Sequence, residues 1–81
     1  MNQIRKYQIT RDQEIPEGAK ILHLAYQRGT LHIWALVDPD RPSKIRKFFC
    51  CGTGEWPMDN LVFIGSVMDC DSMWHYFISA E

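Results

Sequence analysis

Ala19-Lys20-Ile21-Leu22-His23-Leu24-Ala25-Tyr26-Gln27-Arg28-Gly29-Thr30-Leu31-His32-Ile33-Trp34-Ala35-Leu36-Val37-Asp38 reads as two β-strands folded about Arg28-Gly29. A two-residue loop puts Gln27 opposite Thr30. The same register pairs Tyr26 with Leu31, Leu24 with Ile33, Leu22 with Ala35 and Lys20 with Val37, and this face is the predicted core. The other face carries Ala25 beside His32, His23 beside Trp34, and Ile21 beside Leu36. Arg28 needs φ > 0 in such a turn, at a cost of ~1 kcal/mol for a residue with a Cβ. A three-residue loop with Gly29 in a bulge avoids that cost but re-pairs every residue; the two-residue loop is the reading adopted. Both faces of the ribbon are apolar. One fills a core, and the other needs cover from the rest of the chain, a second copy or a partner.

Outward from the hairpin, Gln3 to Ile9 alternates as a short strand, and residues 10–18 read as a polar connection with a turn at Pro16 and Gly18. Asp38-Pro39-Asp40-Arg41-Pro42-Ser43 is a rigid loop, because two prolines fix φ and remove ladder donors. Lys44 to Cys51 resumes as one strand, Gly52 to Asn60 is a long turn, and Leu61–Met68 and Met73–Ser79 are two more strands joined at Asp69-Cys70-Asp71-Ser72. No segment carries a 3.6-residue apolar stripe over ten residues, and Pro57 and Gly65 interrupt the only candidates. The expected fold is therefore all-β: one domain over residues 1–81, with about six short antiparallel strands in a small sandwich or partly open barrel.

Composition narrows the functional classes. The apolar share of 46% supports a core. No apolar run approaches the ~18 residues of a membrane helix, and the two cations near the N-terminus have no apolar stretch behind them, so the expectation is a cytosolic chain without a signal peptide. The three cysteines lack Cys-x-x-Cys spacing, and Cys50 and Cys51 point to opposite faces of a strand, so buried free thiols are expected and a metal site is not.

The net charge of −1 hides a split. Residues 1–47 hold all nine Lys and Arg against five acids, a balance of +4, while residues 48–81 hold five acids and no cation, a balance of −5. Interleaving of the two halves across strands neutralises them; segregation gives a dipolar surface that steers a charged partner. The first account is the expected one.

Several clusters are candidate binding sites. His23, His32 and Trp34 fall together on the second face of the hairpin, where two imidazoles and an indole can stack a base or cage a ligand, or simply pack beneath other strands. His75 has the same status. Arg41, Lys44, Arg46 and Lys47 form a local basic patch suited to phosphates or to guarding a sheet edge. Gly52-Thr53-Gly54 resembles a fragment of a phosphate-binding turn but lacks the following Lys-Ser/Thr and helix. The serines lack a Gly-x-Ser-x-Gly context, and no nucleophile with its base can be nominated, so the expectation is a non-enzymatic protein without a cofactor.

Ile15-Pro16-Glu17-Gly18-Ala19-Lys20-Ile21-Leu22, Trp34-Ala35-Leu36-Val37-Asp38-Pro39, Gly52-Thr53-Gly54 followed by Pro57, Phe63-Ile64-Gly65-Ser66 and Trp74-His75-Tyr76-Phe77 occur in that order. This pattern resembles a family of short phage and prophage proteins of unknown function, over nearly the whole chain. Trp56 is an extra residue before Pro57, and the last hairpin turn is shortened. The resemblance implies a phage origin and a small β domain, and supplies no catalytic residues.

The expected function is a binding protein that inhibits a host macromolecule in the host cytosol, a protein or ribonucleoprotein. Small phage proteins of this kind counter bacterial immunity, including CRISPR effectors. Its contact surface is expected to use Trp34, Trp56, Trp74 and Tyr76 with charged rims. Two alternatives stand beside it: an oligomer that sequesters a nucleotide signal through Gly52 to Gly54, the basic residues and Trp34, and a virion component. A homodimer through the second hairpin face and direct contact with nucleic acid are further expectations.

Overall fold

A computed structural model describes all of residues 1–81. The chain is all-β and has no helix. Eight strands follow in order: β1 (Gln3–Gln8), β2 (Gln13–Pro16), β3 (Lys20–Gln27), β4 (Thr30–Val37), β5 (Ser43–Arg46), β6 (Phe48–Gly52), β7 (Leu61–Asp69) and β8 (Ser72–Ser79). They form a first sheet β1-β4-β3, a two-stranded ribbon β2-β5 and a second sheet β6-β8-β7, every neighbouring pair antiparallel. The sheets do not close into a barrel. No helix of the chain is long and apolar enough to cross a membrane.

The central hairpin forms with the two-residue turn. Arg28 and Gly29 adopt φ of 53° and 77°, and Gln27 pairs with Thr30. The expected register holds from the turn to His23–Trp34 and then shifts, because Leu22 is bulged: Ile21 pairs with Ala35 and Lys20 with Leu36. Strict alternation would have set the Lys20 ammonium opposite Val37, which is buried. Burying a cation without a partner is costly. One extra residue moves Lys20 to the outer face and turns Ile21 inward, where it packs against the core. Leu22, expected in the core, is displaced outward and is exposed, and Tyr26, also expected there, stays exposed beside the turn.

Three further expectations change. The connection over residues 10–18 contains β2, whose Ile15 and Pro16 are fully buried. Two apolar residues among seven polar ones leave no period to read, and the strand exists because β5 pairs with it. Pro16 is tolerated because β2 is an edge strand. The single strand expected from Lys44 to Cys51 is two, β5 and β6, in different sheets. At Lys47 the chain crosses between them, its N–H donating to Ser79 Oγ (3.0 Å) and its carbonyl accepting from Ser79 N–H (2.9 Å). The count is thus eight strands, because β2 adds one to the expected six and the strand expected over Lys44 to Cys51 divides into β5 and β6.

The core lies between the two three-stranded sheets. Leu24, Leu31, Ile33, Ala35 and Val37 come from the first sheet, Ile78 from the second, and Ile9 and Ile15 close the side; Phe48, Ile64, Val67 and Tyr76 pack around them. The sheets approach most closely where β3 meets β7. A Cβ on Gly65, whose φ is 152°, would lie 3.1 Å from Leu24 Cδ2. The absent side chain lets the strands come together there.

The two halves of the chain do not interleave, contrary to the expected neutralisation. The first sheet and the ribbon are built wholly from residues 1–47, and the second sheet wholly from residues 48–81. The charge split of the sequence is therefore largely a split between sheets: the net +4 belongs to the residues of the first sheet and the ribbon and the net −5 to those of the second sheet, with Arg46 and Lys47 meeting the end of β8 at the boundary.

Candidate functional site

The outer face of the first sheet collects the hairpin candidates. Register places Lys6, Trp34 and His23 side by side across β1, β4 and β3, with Gln8, His32 and Ala25 as the next row. The Trp34 ring centroid is 5.9 Å from that of His23 and 6.1 Å from that of His32, with interplanar angles of 44° and 49°. The three rings are brought together as the sequence implied. No other strand covers them: Trp34 and His32 are half-buried by their own sheet, and His23 is exposed. His32 Nδ1 lies 2.9 Å from the Thr30 carbonyl, an acceptor only, so that nitrogen carries the proton and Nε2 of the neutral ring is left as an acceptor. Lys6 Nζ reaches across β4 to donate to Gln27 Oε1 at 2.6 Å.

The outer face of the second sheet is a separate surface. Phe49, Phe77 and Phe63 form one row, Cys51, His75 and Ser66 the next, and Met73 and Met68 the last. Phe63 meets Phe77 edge-on at 5.6 Å. Phe63 and Met68 are each 58% exposed. The loop after β6 lies against one edge, where Phe49, Cys51, Pro57, Leu61 and Phe77 line a cavity of about 110 Å³ together with Trp56 and Met58. Trp56 itself is 94% exposed. Cys51 is buried in this cluster, and burial first, then the Glu55 carboxylate, pushes its thiol above the ordinary range.

The four aromatic residues expected to share a contact surface are divided. Trp34 and Trp56 stand on opposite layers, while Trp74 and Tyr76 lie on the inward side of β8, half-buried. Tyr76 packs against the core, and its hydroxyl is pushed up to about 12, by burial first and by its hydrogen bond to Cys50 second. The basic patch is also divided. Arg41, Lys44 and Lys47 are exposed, with Lys44 3.6 Å from a Glu17 carboxylate. Arg46 is only 6% exposed; its Nε and Nη2 donate to the Ser79 carbonyl at 2.8 and 2.6 Å, and its Nη1 lies 3.7 Å from Glu81. Arg46 fastens the end of β8 to β5 and does not contribute to a surface patch.

Gly52, Thr53 and Gly54 form a turn closed by Glu55, whose N–H donates to the Gly52 carbonyl (3.1 Å) and whose carboxylate accepts from the Gly52 N–H. A carboxylate already sits where a phosphate would have to lie. This turn and the tip of the β7–β8 hairpin border an open cleft of about 600 Å³ that also includes Asp71, Met68, Met73 and Trp74.

One constellation escaped sequence reasoning. His75 Nδ1 is 2.7 Å from Ser66 Oγ and His75 Nε2 is 2.9 Å from Thr53 Oγ1, so one hydroxyl donates to the ring and the other accepts from it. The residues are far apart in the chain, and only the pairing of β6, β8 and β7 aligns them. The bulge between Phe63 and Gly65 sets Ser66, not Gly65, opposite His75. No carboxylate orients the ring, and the ladder joins the loop after β6 to the sheet. No cluster of three or more histidine, cysteine or carboxylate side chains is placed to hold a metal ion. No curated protein and no solved structure matches the chain. A family model does match, over residues 1–81, and the protein belongs to that family, described as a domain of unknown function (DUF7352).

Proposed function

We propose that this is a phage-derived, non-enzymatic binding protein that inhibits a host macromolecule, with the outer face of the second sheet as its docking surface for a protein. The observation that carries this reading is the concentration of uncovered apolar side chains there: Phe63, Met68, Met73, Met58 and Trp56 are all exposed. An exposed apolar patch with a polar rim is the usual composition of an interface. Methionines add adaptable contacts. The rim is acidic, from Glu55, Asp59, Asp69 and Asp71, and residues 48–81 supply no cation, so a basic host surface is the complementary one. The phage origin and the counter-defence role rest on the sequence resemblance. The nucleotide-sequestering alternative draws less support, because Glu55 occupies the turn it would need.

The test compares the wild-type chain with Phe63→Glu and Met68→Glu in capture from host lysate, with matched melting curves. The expected result is one host protein or ribonucleoprotein held in stoichiometric amount by the wild type and lost with both variants, and a plating advantage in a defended host that disappears with them. Presence of the chain in purified virions, with no host protein captured, would replace this reading by the structural one.

A further inference from the structure

The outer face of the first sheet is a second uncovered surface, on the opposite layer, with the opposite charge. Its outward-facing positions include Lys6 and Lys20 and two histidines, and its three strands hold no carboxylate at all. Arg28 stands at the hairpin turn of the same sheet. Asp38, the first acid after β4, faces the amino terminus at 3.9 Å. Trp34 is the centre of this face, flanked by Lys6 on β1 and His23 on β3. Lys20 lies beyond it in the row of Leu36, moved to this side of the sheet by the Leu22 bulge.

The geometry points to a binding platform for single-stranded nucleic acid on this face, with a base stacked at Trp34 and the phosphates on Lys6, Lys20 and Arg28. Proteins that hold single strands combine an aromatic ring open to an unpaired base with cations that track the backbone. Both parts are present: Trp34 is half-buried with no other strand over it, Lys6 exchanges its Gln27 acceptor for a phosphate, and the sheet has no acid of its own to repel the phosphates. His32 adds a directional group beside the ring, since Nδ1 is committed to Thr30 and Nε2 is left to accept a hydrogen bond from an exocyclic base amine. A duplex keeps its bases stacked and paired and cannot offer one to Trp34. The preference for single strands is thus part of the inference.

Fluorescence anisotropy of a short labelled oligodeoxycytidylate, its ribose counterpart and a duplex of equal length tests it with the full chain. The expected result is binding of at least one single strand, weaker binding of the duplex, and a log–log salt slope of about −1 to −2, as two or three phosphate contacts give on a single strand. Trp34→Leu is expected to weaken binding roughly tenfold or more, as loss of one stacked base does. Lys6→Glu lies on an exposed position of an edge strand and gives a second reading should Trp34→Leu melt early. Absence of binding at low salt, equal affinity for the duplex, or wild-type affinity in a folded Lys6→Glu protein would each overturn the proposal. So would a dimer of the free chain that seals Trp34, or retention of an acidic protein on this face in place of the oligonucleotide.

Discussion

Arg46 is the residue on which the ends of the fold depend. Its guanidinium is buried, donates twice to Ser79 and lies beside Glu81, and Glu81 in turn accepts from the Gly18 N–H at 2.7 Å. Hydrogen bonds from a charged donor are worth more than neutral ones, so Arg46→Ala is expected to lower unfolding free energy by about 2–4 kcal/mol in urea titration. Arg46→Lys should restore little of it, because an ammonium cannot reproduce the planar fork. The thiols differ by the same logic of surroundings. Cys50 and Cys70 are exposed and Cys51 is buried with a raised thiol. Ellman's reagent at pH 8 is expected to modify two thiols quickly and the third only on unfolding, since the thiolate is the reacting form.

At the level of strands and turns, the two hairpins use backbone conformations that their side chains resist. Arg28 takes φ of 53° in the first turn, and Cys70 and Asp71 take 48° and 64° in the second. Arg28→Asn creates the Asn-Gly pair that such turns favour and is expected to raise stability by about 0.5–1 kcal/mol in thermal or urea melts. Gly65→Ala tests the other constraint. A Cβ there meets Leu24 while φ stays at 152°, and the expected loss is about 2 kcal/mol or more. These elements also show what could be read beforehand. Alternation and turn chemistry revealed the central hairpin, its two-residue loop and the β7–β8 pair, and the gathering of His23, His32 and Trp34 followed from that register. The bulge at Leu22 was not legible from alternation alone, although the same register that set Lys20 opposite Val37 on the core face left a cation there without a partner. Nor was β2, a strand of four residues that owes its existence to a partner thirty residues on. The Ser66–His75–Thr53 ladder depends on a second bulge and on two pairings, β6 with β8 and β7 with β8, none of which leaves a local mark.

The molecule as a whole is one core clasped between layers drawn from successive halves of the chain. Tyr76, half-buried on the inward side of β8, has its hydroxyl pushed up to about 12, by burial first and by its hydrogen bond to Cys50 second. The neutral form is therefore the one the fold favours. Its stabilisation is complete below pH 10 and is lost as pH climbs from 10 toward 12, so an alkaline titration followed by tyrosinate absorbance and far-ultraviolet circular dichroism should show unfolding coincide with late ionisation. The layered separation of charge reaches further than stability. The net charge of −1 is the sum of +4 on residues 1–47, which build the first sheet and the ribbon, and −5 on residues 48–81, which build the second sheet. On the two proposals taken together, a nucleic-acid strand docks on the tryptophan layer and a basic protein on the methionine layer, so their footprints fall on opposite sides of the core and do not compete.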